Sequence, residues 1–401
     1  MRHVTPQSRR GADLPTDEMP TWITHFPGNF MWSNATLVTK GMAPYGAVAL
    51  GEIDQVCQRL AKRQSEPYAW WEEWSAMAAR LERVADEAES EGRSLTAGNY
   101  YLRAGMYYFT AERFIPPGPE KLHMGEKAID CCTKGILGRH PNVERVEVPY
   151  EDASLPALFM KAPSATGPAP TVVLFDGLDN CKEMSVLFAG LEFAARGWNT
   201  LSIDGPGQGE SLRLRDIRTR YDYEVAGRAA YDYTAARSEV DPDRIAVMGY
   251  SFGGYYAPRI AAFDDRYAAC VAFGAMHWDM PGWVTEIRDN VARDPKTSAT
   301  SHFQIPWVFG ASDLDEAIDM AADFSVADFA DRISCPFLVA HGENDRQVPI
   351  EDARRLLEVV GSSDKTLIAF SVDDGGAEHV QVDNRQVGVD AIADWLKQRF
   401  E

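Results

Sequence analysis

Apolar positions along this chain follow two different periods, and the change falls near residue 140. From Trp70 the apolar side chains recur as Trp70, Trp74, Met77, Leu81, Val84 and Ala88, steps of three and four that place them on one helical face. Gly92 ends that stretch. A second helix is predicted from Leu95 to about Phe114, carrying Tyr100, Tyr101, Tyr107, Tyr108 and Phe109 and stopping before Pro116-Pro117. A third runs from Pro119, a residue tolerated in a first turn, to Gly138. An earlier helix is predicted from Ala43 to Lys62, whereas residues 1–40 carry few periodic signals and read as an irregular arm.

Beyond Pro141 the pattern shortens. VERVEVPY alternates, and SLPALFMKAP follows after a short turn, which predicts an antiparallel pair. TVVLFDG, NTLSIDG, RIAVMGYS, ACVAFGA, PFLVAHGEND and KTLIAFS are apolar runs separated by helical stretches, the pattern of a mainly parallel sheet covered on both faces. Val387–Phe400 reads as a closing helix. About 60 residues separate the ACVAFGA and PFLVAHGEND strands, more than one crossover helix requires, so a lid segment is expected over about 276–330. The expected division is a helical N-terminal cap domain, 1–140, and an α/β domain, 141–401.

Composition narrows the partners. A formal net charge of −20 argues against nucleic acid and anionic membrane, since both require clustered Lys and Arg. The N-terminus has no apolar signal core, and no 18-residue apolar stretch follows. Six cysteines include no C-x-x-C pair, which fits free thiols in a reducing, cytoplasmic compartment and leaves no metal-ligand spacing. The expected partner is a small-molecule substrate, with no cofactor, no metal, no nucleic acid and no membrane; a homodimer is admitted.

RIAVMGYSFGGYYAPRI carries the chemistry. Gly249-Tyr250-Ser251-Phe252-Gly253 matches G-x-S-x-G between a predicted strand and a predicted helix, the context in which a sharp turn lifts a serine hydroxyl out of a sheet. A serine needs a base, itself oriented by a carboxylate, and this architecture orders them Ser, Asp or Glu, His. Asp345 in HGENDRQVP and His379 in VDDGGAEHV satisfy that order. Glu343 is a competing acid nearer the strand, while Asp373 and Asp374 share a loop with His379 and would break the usual layout. His341 is expected to be structural; His277 and His302 fall in the lid segment. The oxyanion donors are expected to be the backbone N–H groups of Phe252 and of Leu178 or Gly177. Asp204–Gly209 reads G-x-G-x-G rather than G-x-G-x-x-G, hence a tight structural turn and not a dinucleotide site. The fold class is therefore α/β, an α/β-hydrolase fold with an all-helical N-terminal cap.

GLDNCKEM, DGPGQGES, GYSFGGYYAPR, HGENDRQVP and AEH, with WWEEW and NYYLRAGMYYFTAERF before them, resemble the α/β-hydrolases that include 2,6-dihydroxypseudooxynicotine hydrolase, fungal yellowish-green polyketide-shortening hydrolases and FrsA-like proteins. The resemblance runs from about Trp70 to the C-terminus. It implies an acyl-enzyme hydrolase that cleaves a C–C bond beside a carbonyl, with Ser251, Asp345 and His379 as triad and Leu178 and Phe252 as oxyanion donors. It also implies an acidic side chain downstream of the serine, where Asp279 and Glu286 lie without an alignable motif. The expected substrate is an aryl ketone or β-diketone-like compound contacted by His277, Asp279, Tyr250, Tyr107 and Tyr108. A carboxylesterase or lactonase on the same triad is the alternative, and a non-catalytic FrsA-like binding protein the second.

Overall fold

The chain is described by a computed structural model covering residues 21–293 and 301–401. Five helices precede the first strand: α1 (Phe30–Lys40), α2 (Leu50–Leu60), α3 (Ala69–Ser90), α4 (Ser94–Glu112) and α5 (Pro119–Arg139). Two expectations are corrected here. Residues 30–40 are helical rather than an irregular arm: the Asn29 side chain accepts the Trp32 N–H at 3.1 Å and caps the first turn. Residues 1–20 lie outside the described residues. The helix expected from Ala43 begins only at Leu50, because Ala43–Tyr45 is a short 3-10 turn closed by Gly46 at φ +69°, a left-handed residue no helix continues through.

Eight strands follow: β1 (Val143–Tyr150), β2 (Ala153–Met160), β3 (Ala169–Phe175), β4 (Asn199–Ile203), β5 (Val240–Tyr250), β6 (Ala269–Phe273), β7 (Phe337–Gly342) and β8 (Lys365–Phe370). They form one sheet in the order β1-β2-β4-β3-β5-β6-β7-β8. β1 pairs antiparallel with β2 and β2 with β4, while every pair from β4 to β8 is parallel. β3, β4, β6 and β7 are buried along their whole length, as strands covered on both faces must be.

Alternate residues feed two cores. Val172, Leu174, Met248, Tyr250, Val271 and Phe273 join one cluster with the aromatic residues of α1–α5, among them Trp70, Trp74 and Tyr107. Val173, Phe175, Val247, Cys270 and Ala272 join the other, with the helix Gly253–Phe263 and the helices between β6 and β7. That insertion contributes helices Met280–Arg293, Ser301–Phe309 and Leu314–Ala321; its residues 294–300 lie outside the described residues. The six cysteines are free, five of them buried.

Candidate active site

Ser251 stands between the end of β5 and the helix Gly253–Phe263. Its φ of +53° is a left-handed conformation that a residue with a side chain adopts only under constraint. The constraint is visible. Ser251 donates its N–H to the Phe273 carbonyl at 3.0 Å, and its own carbonyl accepts from Gly254 N–H at 2.7 Å. A side chain at Gly249 would collide with the Gly253 carbonyl, and one at Gly254 with the Gly274 carbonyl. The small residues of G-x-S-x-G-G are therefore demanded by backbone approach.

His379 Nε2 lies 2.7 Å from Ser251 Oγ, and its Nδ1 lies 2.6 Å from Asp345 Oδ2. The ionised carboxylate only accepts, so Nδ1 carries the proton and Nε2 is left to take the serine hydroxyl. Asp345 Oδ1 accepts the N–H groups of Gln347 at 2.8 Å and Val348 at 2.9 Å. Burial by itself would raise the Asp345 carboxyl; the His379 ring and these bonds outweigh it and hold the group below its ordinary value. His341, fully buried, receives the Ala275 N–H on Nδ1 at 3.2 Å and donates Nε2–H to the Val348 carbonyl at 3.0 Å, which props the loop carrying Asp345. The His379 loop is gathered by Asp383, whose carboxylate accepts the N–H groups of Gly376, Ala377 and Glu378 at 2.9, 3.1 and 3.1 Å.

The loop after β3 approaches the serine closely: a Cβ at Gly177 would lie 3.0 Å from Ser251 Cβ. Gly177 itself cannot serve an oxyanion, since its N–H donates to Asp176 Oδ1 at 2.7 Å, and this corrects one of the two expected alternatives. Leu178 and Phe252 N–H groups have no protein acceptor among the described residues. Asp176 also accepts from Asn180 Nδ2 at 3.1 Å and Ser185 Oγ at 3.0 Å; complete burial nevertheless pushes its carboxyl up to about 6. Further out, Arg213 ties the Asp179 carbonyl, at 2.7 Å, to the Glu112 carboxylate of α4, and Gln304 of the insertion donates to Asp179 Oδ1 at 2.7 Å. The Asp204–Gly209 turn closes on the Asp204 carboxylate, which accepts Lys182 N–H at 2.6 Å and Glu210 N–H at 2.8 Å.

Ser251 and His379 open on a cavity of about 850 Å³, whose walls come from α1, the β3 loop, the insertion and the start of the last helix. His277 lines it, stacked on Trp283 at 4.6 Å between ring centroids, and burial pushes its imidazole down to about 4. Tyr250 lines it too. Asp279 borders the cavity, yet its carboxylate accepts the Gly282 N–H at 3.0 Å and so starts the helix Met280–Arg293; Glu286, on that helix, also borders it. Tyr107 and Tyr108 are not cavity residues, a correction. Tyr107 donates to Glu52 at 2.9 Å and Tyr108 to Glu82 at 2.7 Å, because the apolar faces that carry them pack helix on helix. His302 and Glu343 are exposed, and Asp374 binds the Ser371 hydroxyl at 2.6 Å. Sequence reading missed Phe30, Asn34 and Val38 of α1, and Arg385 at the start of the helix Arg385–Phe400, all cavity residues. The Asn29 cap was the available signal for the first three; nothing in RQVGVD marks Arg385 as buried.

No helix among the described residues is long and apolar enough to cross a membrane. The prolyl oligopeptidase family profile matches residues 194–401, and the esterase FrsA-like profile matches residues 65–286. Hydrolase LUC6 of Fusarium sp is 30% identical over 393 residues, spanning 88% of this chain and 92% of LUC6. The 2,6-dihydropseudooxynicotine hydrolase of Paenarthrobacter nicotinovorans is 27% identical over 362 residues, spanning 88% and 91%. The crystal structure of the 2,6-dihydroxy-pseudo-oxynicotine hydrolase superposes with a TM-score of 0.74 at 24% identity, covering 90% of this chain and 95% of that one. The chain belongs to the α/β-hydrolases, with the prolyl oligopeptidase profile on its C-terminal half and the FrsA-like profile across the helices and the serine turn. It is a hydrolase, similar over most of its length to LUC6.

Proposed function

We propose that Ser251, His379 and Asp345 act as nucleophile, base and orienting acid of an acyl-enzyme hydrolase that cleaves a C–C bond beside a carbonyl in an aryl ketone or β-diketone-like substrate. The observation that carries the reading is the hydrogen-bonded chain Ser251–His379–Asp345, 2.7 and 2.6 Å long, facing a cavity large enough for such a molecule. Ser251 Oγ attacks the carbonyl carbon while its proton passes to His379 Nε2. The tetrahedral oxyanion is met by Phe252 N–H and Leu178 N–H. Collapse breaks the bond to the leaving carbon, which departs as an enolate and takes the proton from Nε2. A water, deprotonated by the same nitrogen, then attacks the acyl carbon and frees Ser251.

An added general acid is unnecessary in this scheme. His277 is neutral above about pH 4, and the Asp279 carboxylate is engaged in starting a helix, so His379 is the proton source for the leaving group. The names of two relatives, 2,6-dihydropseudooxynicotine hydrolase and 20-hydroxy-prefusarin hydrolase, favour a functionalised secondary or polyketide-type metabolite over a simple ester. Carboxylester or lactone hydrolysis on the same triad is the second reading, favoured by the FrsA-like esterase profile. Turnover of a panel of aryl 1,3-diketones and aryl esters separates them. Rapid ester cleavage with inert diketones removes the C–C assignment, and absence of a fluorophosphonate adduct on Ser251 removes both.

A further inference from the structure

Arg385 opens the helix Arg385–Phe400 and is only 5% exposed, yet it borders the cavity. Its guanidinium carbon sits over the Phe188 ring, 3.6 Å from the centroid. Its Nε and Nη1 are buried without a hydrogen-bond partner among the described residues. Tyr250, the residue before Ser251, also lines the cavity; its hydroxyl and that of neighbouring Tyr45 are buried without a partner among the described residues. Of the carboxylates close by, Asp176 is already occupied by Gly177, Asn180 and Ser185, and Asp383 by the amides of Gly376, Ala377 and Glu378. A permanently charged, desolvated cation with unmatched donors is an expensive arrangement unless a ligand completes it.

We propose that Arg385 and Tyr250 form an anion-binding subsite of the cavity, taking a planar group with two oxygens sharing one negative charge: a carboxylate, or the enolate of a 1,3-dicarbonyl. The two amino groups of the guanidinium, Nη1 and Nη2, offer parallel N–H donors that match two such oxygens, and the tyrosine hydroxyl supplies a third donor. Phe188, Val380 and Val382 give the apolar surroundings in which those bonds gain strength, and burial has already removed water from the cation. The subsite names the substrate class for the proposed hydrolase and rests on that reading for the identity of the cavity.

Phenylacetate, benzoylacetone and the neutral phenylacetamide serve as probes. They are titrated calorimetrically into the S251A protein and used as competitive inhibitors of p-nitrophenyl butyrate turnover by the wild type. Phenylacetate or benzoylacetone is expected to bind about 10- to 100-fold more tightly than phenylacetamide. Preference for phenylacetate identifies the carboxylate; preference for benzoylacetone that strengthens above its enol ionisation identifies the enolate. R385Q and Y250F should each reduce the preference, R385Q to near unity, while phenylacetamide binding stays constant. Equal binding of all three by the unsubstituted site, or a preference that survives R385Q, overturns the subsite. Binding with preference but no turnover of any ester or diketone leaves the subsite standing and removes the hydrolase reading; Ser251-dependent turnover with no preference does the reverse.

Discussion

Around the cavity, the rim that holds Ser251 and the wall that holds Arg385 treat polar groups in opposite ways. At the rim the side chains that hold the triad are matched: Asp345 takes two backbone N–H groups and the His379 ring, His341 bridges Ala275 and Val348, and Asp383 gathers three amides. At the wall, Arg385 Nε and Nη1 and the Tyr250 hydroxyl are buried without a hydrogen-bond partner among the described residues. A saturated network fixes geometry, which a proton relay needs, whereas an unsaturated one stores binding capacity. On the proposed reading the two halves of the site perform separate jobs, and they should then fail separately.

The largest test removes the nucleophile. Ser251→Ala should lower turnover by about 10⁶-fold while leaving the affinity for an anionic probe unchanged, measured by single-turnover kinetics and calorimetry. Asp345→Asn comes next, with a loss of about 10⁴ in kcat and an unaltered circular dichroism spectrum; a near-normal rate would move the acid elsewhere. A third test concerns His277, whose folded pKa is pushed down to about 4 from the ordinary 6.5. The unfolded chain then binds the proton more readily, so this contribution to stability is complete above pH 6.5 and disappears as the pH falls towards 4. It amounts to about 3 kcal/mol, and His277→Phe should flatten that part of the urea-midpoint profile. The smallest effect is at Tyr107. Removing its hydroxyl, as Tyr107→Phe, should cost about 1 kcal/mol of stability by losing the Glu52 bond and leave KM unchanged, which separates a packing tyrosine from a substrate contact.

The rim was legible in the sequence because its requirements are local. Gly249 and Gly254 are forced by backbone contacts at the turn, and the order of Ser251, Asp345 and His379 follows from strands that short apolar runs between helical stretches reveal. The mainly parallel sheet and the helices α3–α5 were readable for the same reason. The wall was not. Arg385 begins an ordinary-looking helix, and its burial depends on Phe188 from a segment almost 200 residues away. Tyr107 and Tyr108 misled because an aromatic helical face reads alike whether it meets a ligand or another helix. Leu178 and Gly177 could not be told apart until the Asp176 carboxylate was seen to claim one of the two amides.

The shared core between α1–α5 and one sheet face has a consequence for handling the protein. Because Trp70, Trp74 and Tyr107 lie in the same apolar cluster as Leu174, Met248 and Val271, the two regions should melt in one calorimetric transition. A fragment starting at β1 would present that sheet face to solvent and precipitate on expression, so the first strand is a poor place to cut.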